Sequence, residues 1–353
     1  MWIAASAVVA LAVLTAGGVW LKRLFDGPMF EPGTVAARVA AAGESLEPMP
    51  SDSSEDAWHV TPEIQLFHQS RGQGEDLLLL HGGPGFPPRE PWRAAELLAA
   101  GYRVHSYHQR GCGRSSRPLE GKLEGSFYSR LTRVEATLGF AEQLADVERI
   151  RRRLGSQKLI LVGHSFGGLI AALYAAEFPE RVRALVLLAP APLEVMPTEG
   201  KGLFEGIAER LPEAERGSYQ AYLASYFDLP ASLDLDEAAL SRKYGGLRRF
   251  YRAAEGAPQV PDDDGDAGGF LTAALYAGLG RRHDWRAALG RVEAPTLVLH
   301  GAEDLQSEAD TRRFASAIHG ARVEILPGAG HFMAEEAPEA VAEAVRRFIV
   351  AGR

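Results

Sequence analysis

The chain reads as an α/β fold: a mostly parallel sheet with helices on both faces and a helical insertion before its last strands. Three observations predict it. Strand-like runs recur at Asp76 to Leu80, Tyr102 to Tyr107, Leu159 to Val162, Arg183 to Ala189 and Thr296 to Gly301. Most are apolar on both faces, as strands must be when helices cover a sheet on both sides. Helix-forming stretches such as Pro91 to Ala100 and Phe140 to Leu154 lie between them, and that alternation is the mark of parallel crossovers. Finally, the run ending at Gly163 passes through Gly163-His164-Ser165-Phe166-Gly167 directly into the helix-forming Leu169 to Tyr174.

Length and composition set the bounds. At 353 residues, 46% hydrophobic and 24% charged, the chain suffices for one large α/β domain with an insertion. A formal charge of −8 argues against nucleic acid as a partner. The Arg149 to Arg153 run sits on an expected helix and reads as a solvated face. A lone cysteine, Cys112, excludes an intrachain disulfide, and no Cys/His grouping has metal-ligand spacing, so neither metal nor other cofactor is expected.

The expected elements follow in chain order. Met1 to Leu21 is uncharged and almost wholly apolar, and Lys22-Arg23 follows it. That length spans a bilayer. A cleaved signal peptide would carry its positive charge before the apolar run, so residues 1–26 are expected to be a single-pass transmembrane anchor. Lys22, Arg23 and Arg38 would then place the catalytic domain on the cytoplasmic side. Residues 27–56, rich in Pro, Ser, Ala and acids, read as a linker. The core is expected over 57–190 and 285–353. Trp58 to Gln69 alternates as one or two edge strands. After the strand Asp76 to Leu80 comes His81-Gly82-Gly83-Pro84-Gly85, a loop whose backbone N–H groups can point at a substrate oxygen. His81 is expected to brace that loop.

The Gly-x-Ser-x-Gly turn at 163–167 is a nucleophile elbow: glycines let strand and helix approach closely, and Ser165 stands at a strained angle at a helix N-terminus. An insertion over 191–284 carries Tyr219, Tyr222, Tyr226, Phe227, Tyr244, Phe250 and Tyr251, most of them expected as its own core. It also carries the acidic loop Pro261 to Asp266, which reads as solvated. Such an insertion is expected to form a helical lid. Past the strand Thr296 to Gly301 comes Asp304, with Glu303 as the alternative acid. Past Val323 to Leu326 comes the loop holding His331. A serine, an acid and a histidine, each just beyond a strand, are the parts of a nucleophile–base–orienter relay.

The Ser165, Asp304, His331 order is that of the α/β-hydrolase fold. His-Gly-Gly-Pro-Gly at 81–85, Gln-Arg-Gly-Cys-Gly-Arg-Ser at 109–115 and the elbow together resemble the prolyl iminopeptidase group of that superfamily. Those serine peptidases remove N-terminal proline from peptides. The resemblance implies an acyl-enzyme mechanism, with an oxyanion hole from the N–H groups of Gly83 and Phe166. It also implies a lid carboxylate for the substrate ammonium: Tyr251-Arg252-Ala253-Ala254-Glu255-Gly256 is similar to the family's stretch and places it at Glu255. The chain departs from the group in places. His108 replaces the usual Asp, and His164 and Phe166 resemble general esterases. No second lid carboxylate stands between Leu275 and Arg282, leaving Asp284 as a substitute. The resulting expectation is an iminopeptidase-like aminopeptidase on a small-molecule or short-peptide substrate. The alternatives are a carboxylesterase or lipase-like hydrolase near a membrane, or a non-catalytic ligand-binding relative. Oligomeric state stays open.

Overall fold

The computed structural model describes residues 28–42, 53–54, 56–192, 202–256, 266–280 and 283–352. Its strands are β1 (Ser53–Ser54), β2 (Ala57–Thr61), β3 (Ile64–Arg71), β4 (Asp76–Leu80), β5 (Arg103–Tyr107), β6 (Leu159–His164), β7 (Val182–Leu188), β8 (Thr296–Gly301) and β9 (Arg322–Leu326). They form one sheet in the order β1-β2-β3-β5-β4-β6-β7-β8-β9. Pairing is antiparallel from β1 to β5 and parallel from there to β9. The expected α/β-hydrolase architecture is therefore present, and Trp58 to Gln69 resolves into the β2–β3 hairpin.

The period of two along each strand divides the core. Leu77, Leu79, Ile160, Val162, Val186 and Leu188 pack under the helices Arg93–Leu98 and Pro338–Ala351. Leu78, Leu80, Leu159, Leu161, Leu185 and Leu187 pack on the opposite face, under Phe140–Arg153 and Phe166–Glu177. With both faces apolar and covered, these strands can sit only inside the sheet. Between β7 and β8 the chain leaves the sheet and builds a set of helices from Leu203–Arg210 to Gly269–Leu279. Tyr219, Tyr226, Tyr244 and Phe250 are buried among them, as expected, whereas Phe227 is 50% exposed. The acidic loop falls outside the described residues except for Asp266.

Several expectations need correction. The first concerns the expected membrane localisation, with a single-pass anchor over 1–26 and a cytoplasmic catalytic domain. Among the described residues no helix is long and apolar enough to cross a membrane, so the membrane assignment finds no support there and is withdrawn. The longest helices among the described residues have 14 residues, which at about 1.5 Å per residue fall short of a roughly 30 Å hydrocarbon layer. Residues 1–26 themselves lie outside the described residues.

The stretch read as a linker over 27–56 is partly folded onto the core. Phe30 stacks on Phe140 with ring centroids 5.4 Å apart and meets Trp285 edge-on at 5.7 Å. Val35 and Val39 of the helix Thr34–Ala41 are buried behind it. Gly33 offers this helix no side-chain cap, so Glu177 supplies one from the far end of Phe166–Glu177. Its carboxylate accepts from the Gly33 N–H at 2.8 Å and the Ala36 N–H at 2.7 Å, with the helix dipole favouring the charge. Glu177→Ala should lower stability by about 2 kcal/mol, read as a fall in the urea midpoint at unchanged slope.

The Arg149 to Arg153 run is not a solvated face either. Arg149 is 4% exposed and pairs with Asp146 at 2.9 Å and Glu142 at 3.1 Å. Arg110, arriving from the turn after β5, completes this cluster with a bidentate pair to Asp146, both contacts 2.6 Å. Arg151 is held by Glu148. Helical periodicity alone cannot show that a distant arginine and neighbouring acids neutralise one face.

Candidate active site

The strand order creates the site. From β4 the chain moves to β5 on one side, while β6 pairs on the other, so the carboxyl ends of β4 and β6 flank a topological switch point. Leu80 lies opposite Gly163 in register, which sets the 81–85 loop beside the elbow. A Cβ on Gly167 would stand 2.3 Å from the Leu80 carbonyl oxygen, and one on Gly82 would stand 2.9 Å from the Ser165 Cβ. No larger residue fits either place.

Ser165 has φ 51° and ψ −119°, a conformation costing of order 1–3 kcal/mol for a non-glycine residue. Surrounding bonds hold it there. Its N–H donates to the Leu188 carbonyl at 2.8 Å, and its carbonyl accepts from Gly168 and Ala191, both at 2.9 Å. The helix Phe166–Glu177 begins immediately after, so Ser165 stands at a helix N-terminus. Phe166 buries its ring against Phe140, and Gly83 lines the cavity in front of Ser165. The Gly83 and Phe166 N–H groups have no partner among the described residues.

The loops after β8 and β9 are tied together, with Ala302 N–H donating to Leu326 and Glu303 N–H to Ala329. That brings Asp304 to His331, whose Nδ1 lies 3.1 Å and 2.9 Å from the two carboxylate oxygens. The Gln306 N–H fixes one of those oxygens at 2.8 Å, leaving Nδ1 as donor and Nε2 as the atom available for a proton. Asp304 rather than Glu303 therefore contacts the histidine. Burial alone would pull His331 below the ordinary imidazole range. Asp304's charge and hydrogen bond, helped by Glu336 and Glu255, outweigh that and raise it. Burial works against the charged Asp304, but His331 and the Gln306 N–H hold its carboxyl below the usual range.

Ser165 and His331 line one cavity of about 700 Å³; no hydrogen bond joins Ser165 Oγ to His331 among the described residues. Catalytic hydrogen bonds of this kind often tighten only once substrate is bound. Glu255 stands at the exposed rim of the same cavity, accepting from the Tyr251 hydroxyl at 2.7 Å. Desolvation pushes its carboxyl up, Tyr251 opposes this, and the nearby Glu336 adds to it. Asp284 instead pairs with Arg286 at 2.6 Å and is 50% exposed outside the cavity.

Sequence reasoning missed the supports from His164, Arg210 and the Tyr251–Glu255 pair, though not that from His81. His164 donates from Nε2 to the His331 carbonyl at 2.8 Å, and burial and the neighbouring imidazole lower it to about 3. His81 behaves as expected of a brace: Nδ1 donates to the Gly82 carbonyl at 2.9 Å and Nε2 accepts the Gln109 N–H at 3.1 Å. Arg210, from the inserted helix Leu203–Arg210, donates to the Glu303 and Asp304 carbonyls at 3.1 Å and 3.4 Å. The Tyr251–Glu255 pair carried a readable signal, an i,i+4 spacing on one helix face. Arg210 carried none. Among the described residues no group of His, Cys, Asp and Glu could hold a metal ion.

The fold and its family make the protein a hydrolase. The chain belongs to the alpha/beta hydrolase fold family, whose pattern matches residues 77–338. A proline iminopeptidase of Lactobacillus delbrueckii subsp. bulgaricus is 30% identical over 289 residues, covering 76% of this chain and 88% of its own. A Synechocystis sp. protein described as a non-heme chloroperoxidase is 27% identical over 277 residues, with the same coverages of 76% and 88%. A thermophilic esterase from Thermogutta terrifontis, solved with malate bound, superposes with a TM-score of 0.53 at 25% identity, covering 82% of this chain and 94% of its own.

Proposed function

We propose that the protein is a serine aminopeptidase of the iminopeptidase kind, with Ser165 as nucleophile, His331 as base and Asp304 as its orienter. Ser165 Oγ attacks the carbonyl carbon while its proton passes to His331 Nε2. The oxyanion is received by the Gly83 and Phe166 N–H groups, each worth about 3 kcal/mol of barrier. The carbon–nitrogen bond breaks, and His331 returns the proton to the leaving amine. Water then gives a proton to His331 and its oxygen to the acyl carbon, and His331 passes that proton to Ser165 Oγ as the ester bond breaks. The helices over 203–279 act as the lid, and through Arg210 the lid also holds the acid loop.

Glu255 carries the choice of peptidase. A carboxylate sharing the cavity with Ser165 and His331, part-desolvated and close to a like charge, gains by accepting a substrate ammonium. L-prolyl p-nitroanilide should be cleaved in preference to its N-acetyl form. Glu255→Gln should erase that preference by roughly 10- to 100-fold in kcat/KM, through KM. An enzyme that hydrolyses short acyl esters and ignores both anilides is a carboxylesterase. One observation favours this second reading: Asp284 lies outside the cavity, so Glu255 has no partner there from the expected second position.

A further inference from the structure

The cavity is not electrically even. Its lining includes Arg248, Arg249 and Arg252, together with Arg89, which pairs with Asp266 at 3.7 Å, and on the acidic side Glu255 and Glu335. The arrangement along one helix is more telling than the balance. Arg248 and Arg252 belong to Leu247–Ala254, and Glu255 caps it. Spaced i, i+4 and i+7, the three share one stripe, and all line the cavity. The cationic end of the stripe reaches the loop after β4, where the Arg248 guanidinium lies 5.4 Å from the Phe86 ring centroid. The anionic end lies with Tyr251 beside His331, their ring centroids 6.3 Å apart.

We propose that the leaving group carries a free carboxylate read by Arg248 and Arg252, so that the natural substrates are free peptides of two or three residues. The inference rests on the aminopeptidase reading, which sets the substrate ammonium at Glu255. At about 1.5 Å per residue, Arg248 and Glu255 stand roughly 10 Å apart along the helix. An extended chain covers about 3.3–3.6 Å per residue, so a tripeptide spans that interval from ammonium to carboxylate. Its scissile carbonyl then falls near the Glu255 end, where Ser165 and His331 are. Guanidinium groups suit the task because their planar donors match a carboxylate in pairs. A longer peptide would carry its terminal carboxylate past both arginines, and an amidated one would present no charge to them.

The test compares Pro-Gly-Gly with Pro-Gly-Gly amide, with L-prolyl p-nitroanilide as a third substrate for the wild type. The free acid should be favoured by roughly tenfold or more in kcat/KM, carried by KM and shrinking as salt rises. Arg248→Gln with Arg252→Gln should remove the acid-over-amide preference, and the paired Lys substitutions should restore part of it. A wild type that cleaves the anilide and treats acid and amide alike overturns the carboxylate inference and leaves the aminopeptidase reading standing. A wild type that cleaves none of the three overturns both.

Discussion

Ser165→Ala should lower kcat by about 10⁴- to 10⁶-fold while leaving the folded protein intact. The methyl group replaces only the attacking oxygen. The backbone bonds holding position 165 at φ 51° run through its own N–H and carbonyl, so they survive the change. Melting temperature should therefore move by no more than a few degrees. His331→Ala should produce a loss of similar size, and the double variant should be little worse than the poorer single one, because residues acting in one step do not contribute independently. A fluorophosphonate probe gives the direct readout, with labelling of the wild type abolished in Ser165→Ala. Turnover or labelling that persists without the Ser165 hydroxyl would remove the assignment of the nucleophile.

Asp304→Asn should cost on the order of 10⁴-fold in kcat, since an amide can present its N–H₂ to Nδ1 and stabilise the wrong tautomer. The variant should also move the acid limb of the pH–rate profile, and its direction is fixed. Burial lowers His331, and Asp304 is the largest influence raising it. In the wild type the acid limb should lie above the ordinary imidazole value of 6.5. Without that charge burial prevails, so the residual activity of Asp304→Asn should persist to lower pH. Glu303→Gln should leave both rate and profile near those of the wild type, because Asp304, not Glu303, contacts the histidine. An acid limb that stays in place would mean that another group titrates there.

Much of this was legible in the residues, for identifiable reasons. Strands such as Asp76–Leu80 and Thr296–Gly301 are buried on both faces, so their apolar character is continuous and their ends stand out. The elbow was readable because its glycines are forced by backbone contact rather than by preference. Other features depend on partners distant in the chain. The helix Phe127–Leu138 buries only Leu131, Val134 and Leu138, and that sparse stripe makes a weak periodic signal. Thr34–Ala41 looked like linker because its cap, Glu177, lies 144 positions from Gly33. The cationic side of the cavity escaped notice because Arg248 and Arg252 resemble any exposed helical arginines until the helix docks over Ser165.

The long sequence separations within the site also bear on how the protein is made. Ser165 and His331 lie in the middle and near the end of a 353-residue chain, and the contact they depend on must close a very long loop. During synthesis at roughly 5–20 residues per second, many seconds separate the appearance of the serine from that of the histidine. A nascent chain stalled after β8 would hold its serine at a finished turn with no base to activate it. Appearance of hydrolytic activity during refolding is accordingly a late clock, and should trail the recovery of helical circular dichroism.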